Sequence, residues 1–240
     1  MVGAGATAAA GDRIVRPLLA ALAGGLLVAA APAAAGGLEA APAQVADWTQ
    51  RVEVTGEGGY RMGNPDASVK LVEYASITCS HCATFNAAAA APLRSHVRSG
   101  RVSWEVRPFL IFPSDPGIFL LLQCQAPAHF FTVSDELFAT QDAWTGRIMA
   151  NAKRLQGIAQ HEQVGAVVRA AGVERLFRER GMSEARIASC LADQAALQRL
   201  GEQQQRHIDA GVQGTPTFFI NGRHVDAADW ASLEPLLRAP

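Results

Sequence analysis

Two cysteines three residues apart, Cys79 and Cys82, stand where a strand-forming run gives way to a helix-forming one. Val69 to Tyr74 is β-branched and aromatic, the composition of a strand. After Cys79-Ser80-His81-Cys82 come Ala83-Thr84-Phe85-Asn86 and the alanines from Ala87, strong helix formers. A sulfur at the first turn of a helix lies beside backbone N–H groups that have no partner within the helix. The positive end of the helix dipole then favours a thiolate there. Arg101 to Arg107 alternates with period two, Val102, Trp104 and Val106 on one face, and predicts a half-buried strand extended by Phe109 to Phe112. Strand, helix, strand is a βαβ unit in a sheet with parallel neighbours.

Four ordinary uses of a Cys-x-x-Cys pair can be weighed. Structural zinc needs two further ligands, and neither Cys124 nor Cys190 belongs to a second such pair. Covalent haem attachment needs His after the second cysteine, and residue 83 is Ala. A purely structural disulfide across so short a loop stabilises little. A redox-active dithiol remains. Cys79, at the helix start, is expected to be the exposed, low-pKa thiolate, and Cys82, one turn in, the shielded thiol that resolves a mixed disulfide. Ser80 and His81 fill the tetrapeptide, and a protonated His81 is expected to stabilise the Cys79 thiolate. No metal and no cofactor is expected.

The 240 residues carry 49% hydrophobic and 18% charged side chains and a formal net charge of −1, so nothing suggests nucleic acid or an anionic membrane surface as a partner. Arg13 and Arg16 precede an apolar stretch that ends in Ala31-Pro32-Ala33-Ala34-Ala35, the pattern of a cleaved signal peptide over residues 1–35 and of export to the periplasm. An uncleaved membrane anchor is the alternative. Residues 36–60 read as a flexible lead-in with a short edge strand at Arg51 to Thr55.

The first helix is expected to reach Val97 or Arg98, be kinked or split at Pro92, and stop at Gly100. From Pro116 to about Ala210 the periodicity is helical, with Ser183 capping one long helix that runs to Gly211. This is an insertion between two β parts. Pro216 to Ile220, Asn221-Gly222 and Arg223 to Val225 predict a hairpin, followed by an amphipathic helix carrying Trp230, Leu233, Leu236 and Leu237. His96, His129, His161, His207 and His224 show no ligand spacing.

Cys79-Ser80-His81-Cys82, the helical insertion and Gly214-Thr215-Pro216-Thr217-Phe218-Phe219-Ile220-Asn221-Gly222 together resemble the DsbA family of thioredoxin-fold oxidoreductases, in its alphaproteobacterial branch. The resemblance covers about residues 60–238. It implies an α/β thioredoxin fold with an inserted helical domain: residues 61–115 and 211–240 as the two parts of the thioredoxin fold, 116–210 as the insertion.

It further implies that Thr215–Pro216 is a cis peptide facing the dithiol, with the Thr215 backbone pairing to an extended substrate and its side chain touching the sulfurs. Glu73 falls where the family carries a buried acid that takes a proton from Cys82; a Glu facing solvent is the other reading. Cys124 and Cys190 match the context of a second, structural disulfide, with a regulatory pair or two free thiols as alternatives.

The function implied is that of an exported enzyme donating its disulfide to folding secreted proteins and reoxidised by a membrane quinone oxidoreductase resembling DsbB. A disulfide reductase or isomerase kept reduced in the periplasm, and a holdase or copper-binding module, are the rivals. The lead-in lacks a heptad pattern, which points to a monomer rather than an assembled isomerase.

Overall fold

A computed structural model describes residues 47–238; the expected signal segment 1–35 and the first part of the lead-in lie outside them. The strands are β1 (Val52–Val54), β2 (Tyr60–Gly63), β3 (Val69–Ala75), β4 (Val102–Pro108), β5 (Thr217–Ile220) and β6 (Arg223–Val225). They form one sheet of order β1-β2-β4-β3-β5-β6, in which only β3 and β4 run parallel. The β3–β4 crossover is made by α1 (Ser80–Arg98). The described part of the lead-in is regular structure: Asp47 caps a 3-10 turn at Trp48–Gln50, and β1 is an edge strand as expected.

Pro92 does not split α1; the helix is continuous over 19 residues. The carbonyl freed by its missing N–H belongs to Ala88, an exposed residue, where water can satisfy it. Gly100, with φ +81°, ends the helix, donating its N–H to the Val97 carbonyl. The extension of β4 to Phe112 does not form. The strand stops at Pro108, and the N–H groups of Ile111 and Phe112 turn onto the Asp115 carboxylate instead of a neighbouring strand.

The helical segment comprises α2 (Asp115–Gln123), α3 (Phe130–Ala139), α4 (Gln141–Ala150), α5 (Ala152–Gln156), α6 (Gln160–Ala171), α7 (Glu174–Glu179), α8 (Glu184–Leu191) and α9 (Gln194–Asp209). The single long helix expected after Ser183 is two. Ser183 caps α8, but Asp193 accepts from the Ala196 N–H and opens α9. The hairpin β5–β6 turns on Asn221 (φ +50°) and Gly222 (φ +77°), both left-handed as a type I′ turn requires. In α10 (Trp230–Arg238) Leu233 and Leu237 are buried, whereas Leu236 faces out.

One hydrophobic core joins the sheet to the helical segment. Tyr60 of β2 stacks on Phe130 of α3 with ring centroids 3.9 Å apart, and Trp104 of β4 meets Phe131 at 4.8 Å. Cys124, at the C-terminus of α2, is bonded to Cys190 of α8. Replacing both with Ser opens a loop of sequence separation 66. Urea unfolding is expected to show a loss of up to about 4 kcal/mol from chain entropy, and an unchanged midpoint would refute that account.

Candidate active site

Strand β3 ends at Ala75, and the turn Ser76–Thr78 delivers Cys79 to the N-cap of α1. The Cys79 N–H donates to the Ser76 carbonyl, and the Cys79 carbonyl accepts from Ala83, the first helical bond. Cys82, one turn on, is fully buried, and both cysteines are free thiols. Cys79 is only 6% exposed, so the exposed thiolate expected from the sequence is corrected: the Thr215 loop lies over it, and Sγ donates to the Thr215 carbonyl at 3.4 Å.

The two sulfurs are driven apart in acidity. The thiol of Cys82 donates to Cys79, the Thr215 hydroxyl and the backbone N–H groups of Cys82 and His81 add to it, and together they hold Cys79 down at about 4 against the opposing effect of burial. Burial pushes Cys82 strongly upward, and the negative charges of Cys79 and Glu73 add to the shift. Thr215–Pro216 is cis, and the Thr215 hydroxyl is buried without a hydrogen-bond partner, near enough to the sulfurs to favour their thiolates. His81 and Ser80 are exposed on the first turn. The stabilisation that residue 81 gives to Cys79 comes from its backbone N–H, and the imidazole makes no hydrogen bond with the sulfur.

Glu73 is 2% exposed, which removes the reading of a solvent-facing acid. Its Oε2 accepts from the Trp104 indole N–H at 3.0 Å. Burial raises its pKa to about 8, with Asp135 adding repulsion and the indole bond opposing.

Two supporting residues were not anticipated. Asp115 is fully buried and accepts from the Ser76 hydroxyl, the Thr78 N–H and hydroxyl, and the N–H groups of Ile111 and Phe112. Gln141, at the start of α4, donates to the carbonyls of Ile77 (2.8 Å) and Cys79 (3.0 Å). Together they clamp the turn that carries Cys79 from two helices of the insertion. Ser114-Asp115-Pro116 signals a helix start in the sequence, but nothing local says that the carboxylate faces a loop 37 residues away. Beside Ser80 opens a cleft of about 470 Å3 whose apolar wall includes Phe112, Pro113, Ile148, Met149 and Val167.

A family model described as Thioredoxin matches residues 55–239, more than half of the chain. The chain belongs to the thioredoxin family. A solved structure titled protein-disulfide isomerase, from Novosphingobium aromaticivorans, is similar at 29% identity and TM-score 0.69, over 75% of this chain and 97% of that one. Alpha-DsbA1 of Wolbachia pipientis has the same fold at 16% identity and TM-score 0.60, over 75% of this chain and 88% of that one.

A Rickettsia bellii protein named "Putative protein-disulfide oxidoreductase" is 24% identical over 67% of this chain and 56% of its own length. The chain thus spans little more than half the length of that relative. The fold is the DsbA type of the thioredoxin fold, a sheet with many helices inserted.

Proposed function

We propose that this thioredoxin-family protein is an exported thiol:disulfide oxidoreductase that donates a Cys79–Cys82 disulfide to secreted proteins as they fold. The observation that carries the reading is the asymmetry of the pair: a thiolate held at about 4 on the helix terminus, beside a fully buried thiol pushed the other way. A substrate thiolate attacks the Cys79 sulfur and forms a mixed disulfide, and Cys82 leaves as thiolate and gains a proton. A second substrate thiolate attacks the substrate sulfur of the mixed disulfide and releases the Cys79 thiolate. The substrate loses two electrons and the dithiol gains them.

Stabilising the Cys79 thiolate stabilises the reduced protein, so the disulfide is an oxidant. The extended substrate lies along Thr215–Pro216, and the apolar cleft beside Ser80 suits unfolded chains. Turnover in the periplasm requires reoxidation, assigned to a membrane quinone oxidoreductase resembling DsbB, and the working unit is a monomer. Residues 1–35 serve as its signal peptide, and residues 61–115 and 211–240 as the parts of the thioredoxin fold around the insertion 116–210. The Cys124–Cys190 bond is structural.

The likeness to a protein titled disulfide isomerase favours one second reading, an isomerase or reductase kept reduced. Acid quenching of the source cells, with separate labelling of each cysteine before and after reduction, discriminates the two. A Cys79–Cys82 pair found as disulfide supports the oxidase, and a pair found as thiols supports the isomerase. Cys82→Ser is expected to stall as mixed disulfides that dithiothreitol dissolves. A holdase or copper-binding module would accumulate none.

A further inference from the structure

Between the sheet and α3 lies a small, largely enclosed cavity whose lining includes Glu73, Trp104, Asn86, Ser134 and Asp135. About 10 Å3 of it is open to the centre of a water-sized sphere, the room that one water molecule needs. Most of the lining is apolar, Ile77, Val106, Phe130 and Phe131 among it, and the polar groups are set into that apolar wall. The Ser134 hydroxyl is buried with no protein partner, on a residue only 6% exposed, and Glu73 has one oxygen free of the Trp104 indole. A buried hydroxyl without a partner costs free energy that a bound water removes.

On the far side, Asn86 and Asp135 also line a surface cleft of about 360 Å3 that reaches Ser80 and Asp142. Asp135 is partly exposed, and its Oδ2 is paired with Arg94 at 2.5 Å, which fixes it at the boundary between cavity and cleft. The charged and titratable groups that face Glu73 are Cys82 of α1 and Asp135 of α3, and Arg94 of α1 faces it only through Asp135.

We propose that this cavity is the proton path of the dithiol: a water held by Ser134 links Glu73 to Asp135, and Asp135 passes the proton to solvent in the cleft between α1 and α3. This rests on the exchange function proposed above. Before Cys82 attacks, Glu73, protonated at neutral pH, releases its proton through the water and Asp135 to bulk water, and the carboxylate so formed takes the proton of Cys82; whenever Cys82 leaves, Glu73 gives it a proton and regains one by the same route. No bond other than those to hydrogen changes along it. Ser134 and Asp135 are positioning residues, and both come from the helical insertion.

The test is the release of thionitrobenzoate from a mixed disulfide made on Cys79, followed by stopped-flow absorbance, since that release requires Cys82 to lose its proton. Ser134→Val, which differs from Ser134→Thr only in putting a methyl group where the hydroxyl stands, and Asp135→Asn are each expected to slow release about tenfold at pH 7 and to enlarge the solvent deuterium isotope effect. Ser134→Thr, which keeps the hydroxyl, is expected to restore the wild-type rate and isotope effect. Wild-type rates and isotope effects in Ser134→Val and Asp135→Asn would overturn the path, as would equal slowing in Ser134→Thr with no change of isotope effect. Wild-type protein that releases no thionitrobenzoate would instead refute the exchange function itself, so the two failures are distinguishable.

Discussion

Reducing the Cys79–Cys82 disulfide is expected to make the protein more stable at pH 7, the reverse of what breaking a disulfide ordinarily does. The reduced chain gains from the Cys79 thiolate, whose pKa falls from 9.0 unfolded to about 4 folded. A group with a depressed pKa contributes its full stabilisation above the unfolded value and loses it as pH falls through the folded one. At pH 7 the contribution is up to about 4 kcal/mol, at 1.36 kcal/mol per unit. Cys82 shifts upward from 9.0, so at pH 7 it is a neutral thiol in both folded and unfolded chains and does not enter.

The oxidised chain gains instead from loop closure, and a loop of about four residues is worth only about 2 kcal/mol in the chain-entropy model. The thiolate wins by roughly 2 kcal/mol at pH 7, and the two contributions cross near pH 5.5. Urea unfolding of both redox forms at pH 7 and pH 4.5 measures this. The reduced form should be the more stable at pH 7 and the less stable at pH 4.5. A disulfide form that is the more stable at both would mean that the helix terminus and Thr215 do not hold a thiolate, and the oxidant reading would lose its physical basis.

The chemistry of this site was legible because it is written locally. Cys79-Ser80-His81-Cys82 follows a strand and opens a helix, and Thr215-Pro216 precedes a β-hairpin that Asn221-Gly222 marks by its backbone demands. What was not legible depends on contacts between distant residues. Strand β2 is four residues long and owes its conformation to pairing with β1 on one side and β4 on the other. The break between α8 and α9 is hidden because Cys190, Leu191, Leu197 and Leu200 keep a helical rhythm across it, whereas one side-chain cap at Asp193 decides the boundary.

Adjacency also misleads. His81 lies between the cysteines in sequence, yet its side chain points to solvent while its amide serves Cys79. Gln141, 62 positions from Cys79, touches the Cys79 carbonyl directly. Sequence position identifies which groups can react; which groups hold them in place is a property of the packed insertion.

Glu73→Gln is expected to stabilise the protein at neutral pH while slowing its chemistry. The folded pKa of Glu73 is raised to about 8 from 4.5, chiefly by burial. Between those values the unfolded chain is ionised and the folded one is not, so the native state binds more protons and stability falls as pH rises. The full stability is present below pH 4.5, and the loss levels off above pH 8. At pH 7 it amounts to roughly 3 kcal/mol.

Gln cannot ionise, and its side-chain oxygen can still accept from the Trp104 indole, so the variant should lose none of this. Wild type and variant are expected to melt together at pH 4 and to separate as pH rises, with Glu73→Gln higher at pH 8. Parallel curves would show that the buried carboxyl is not what titrates. Cys82, fully buried and with its pKa raised, meanwhile loses the nearest group able to exchange its proton, and closure of the mixed disulfide should slow in the same variant. Stability gained and rate lost at one position is the outcome expected of a group held in the core against its own solvation in order to move a proton.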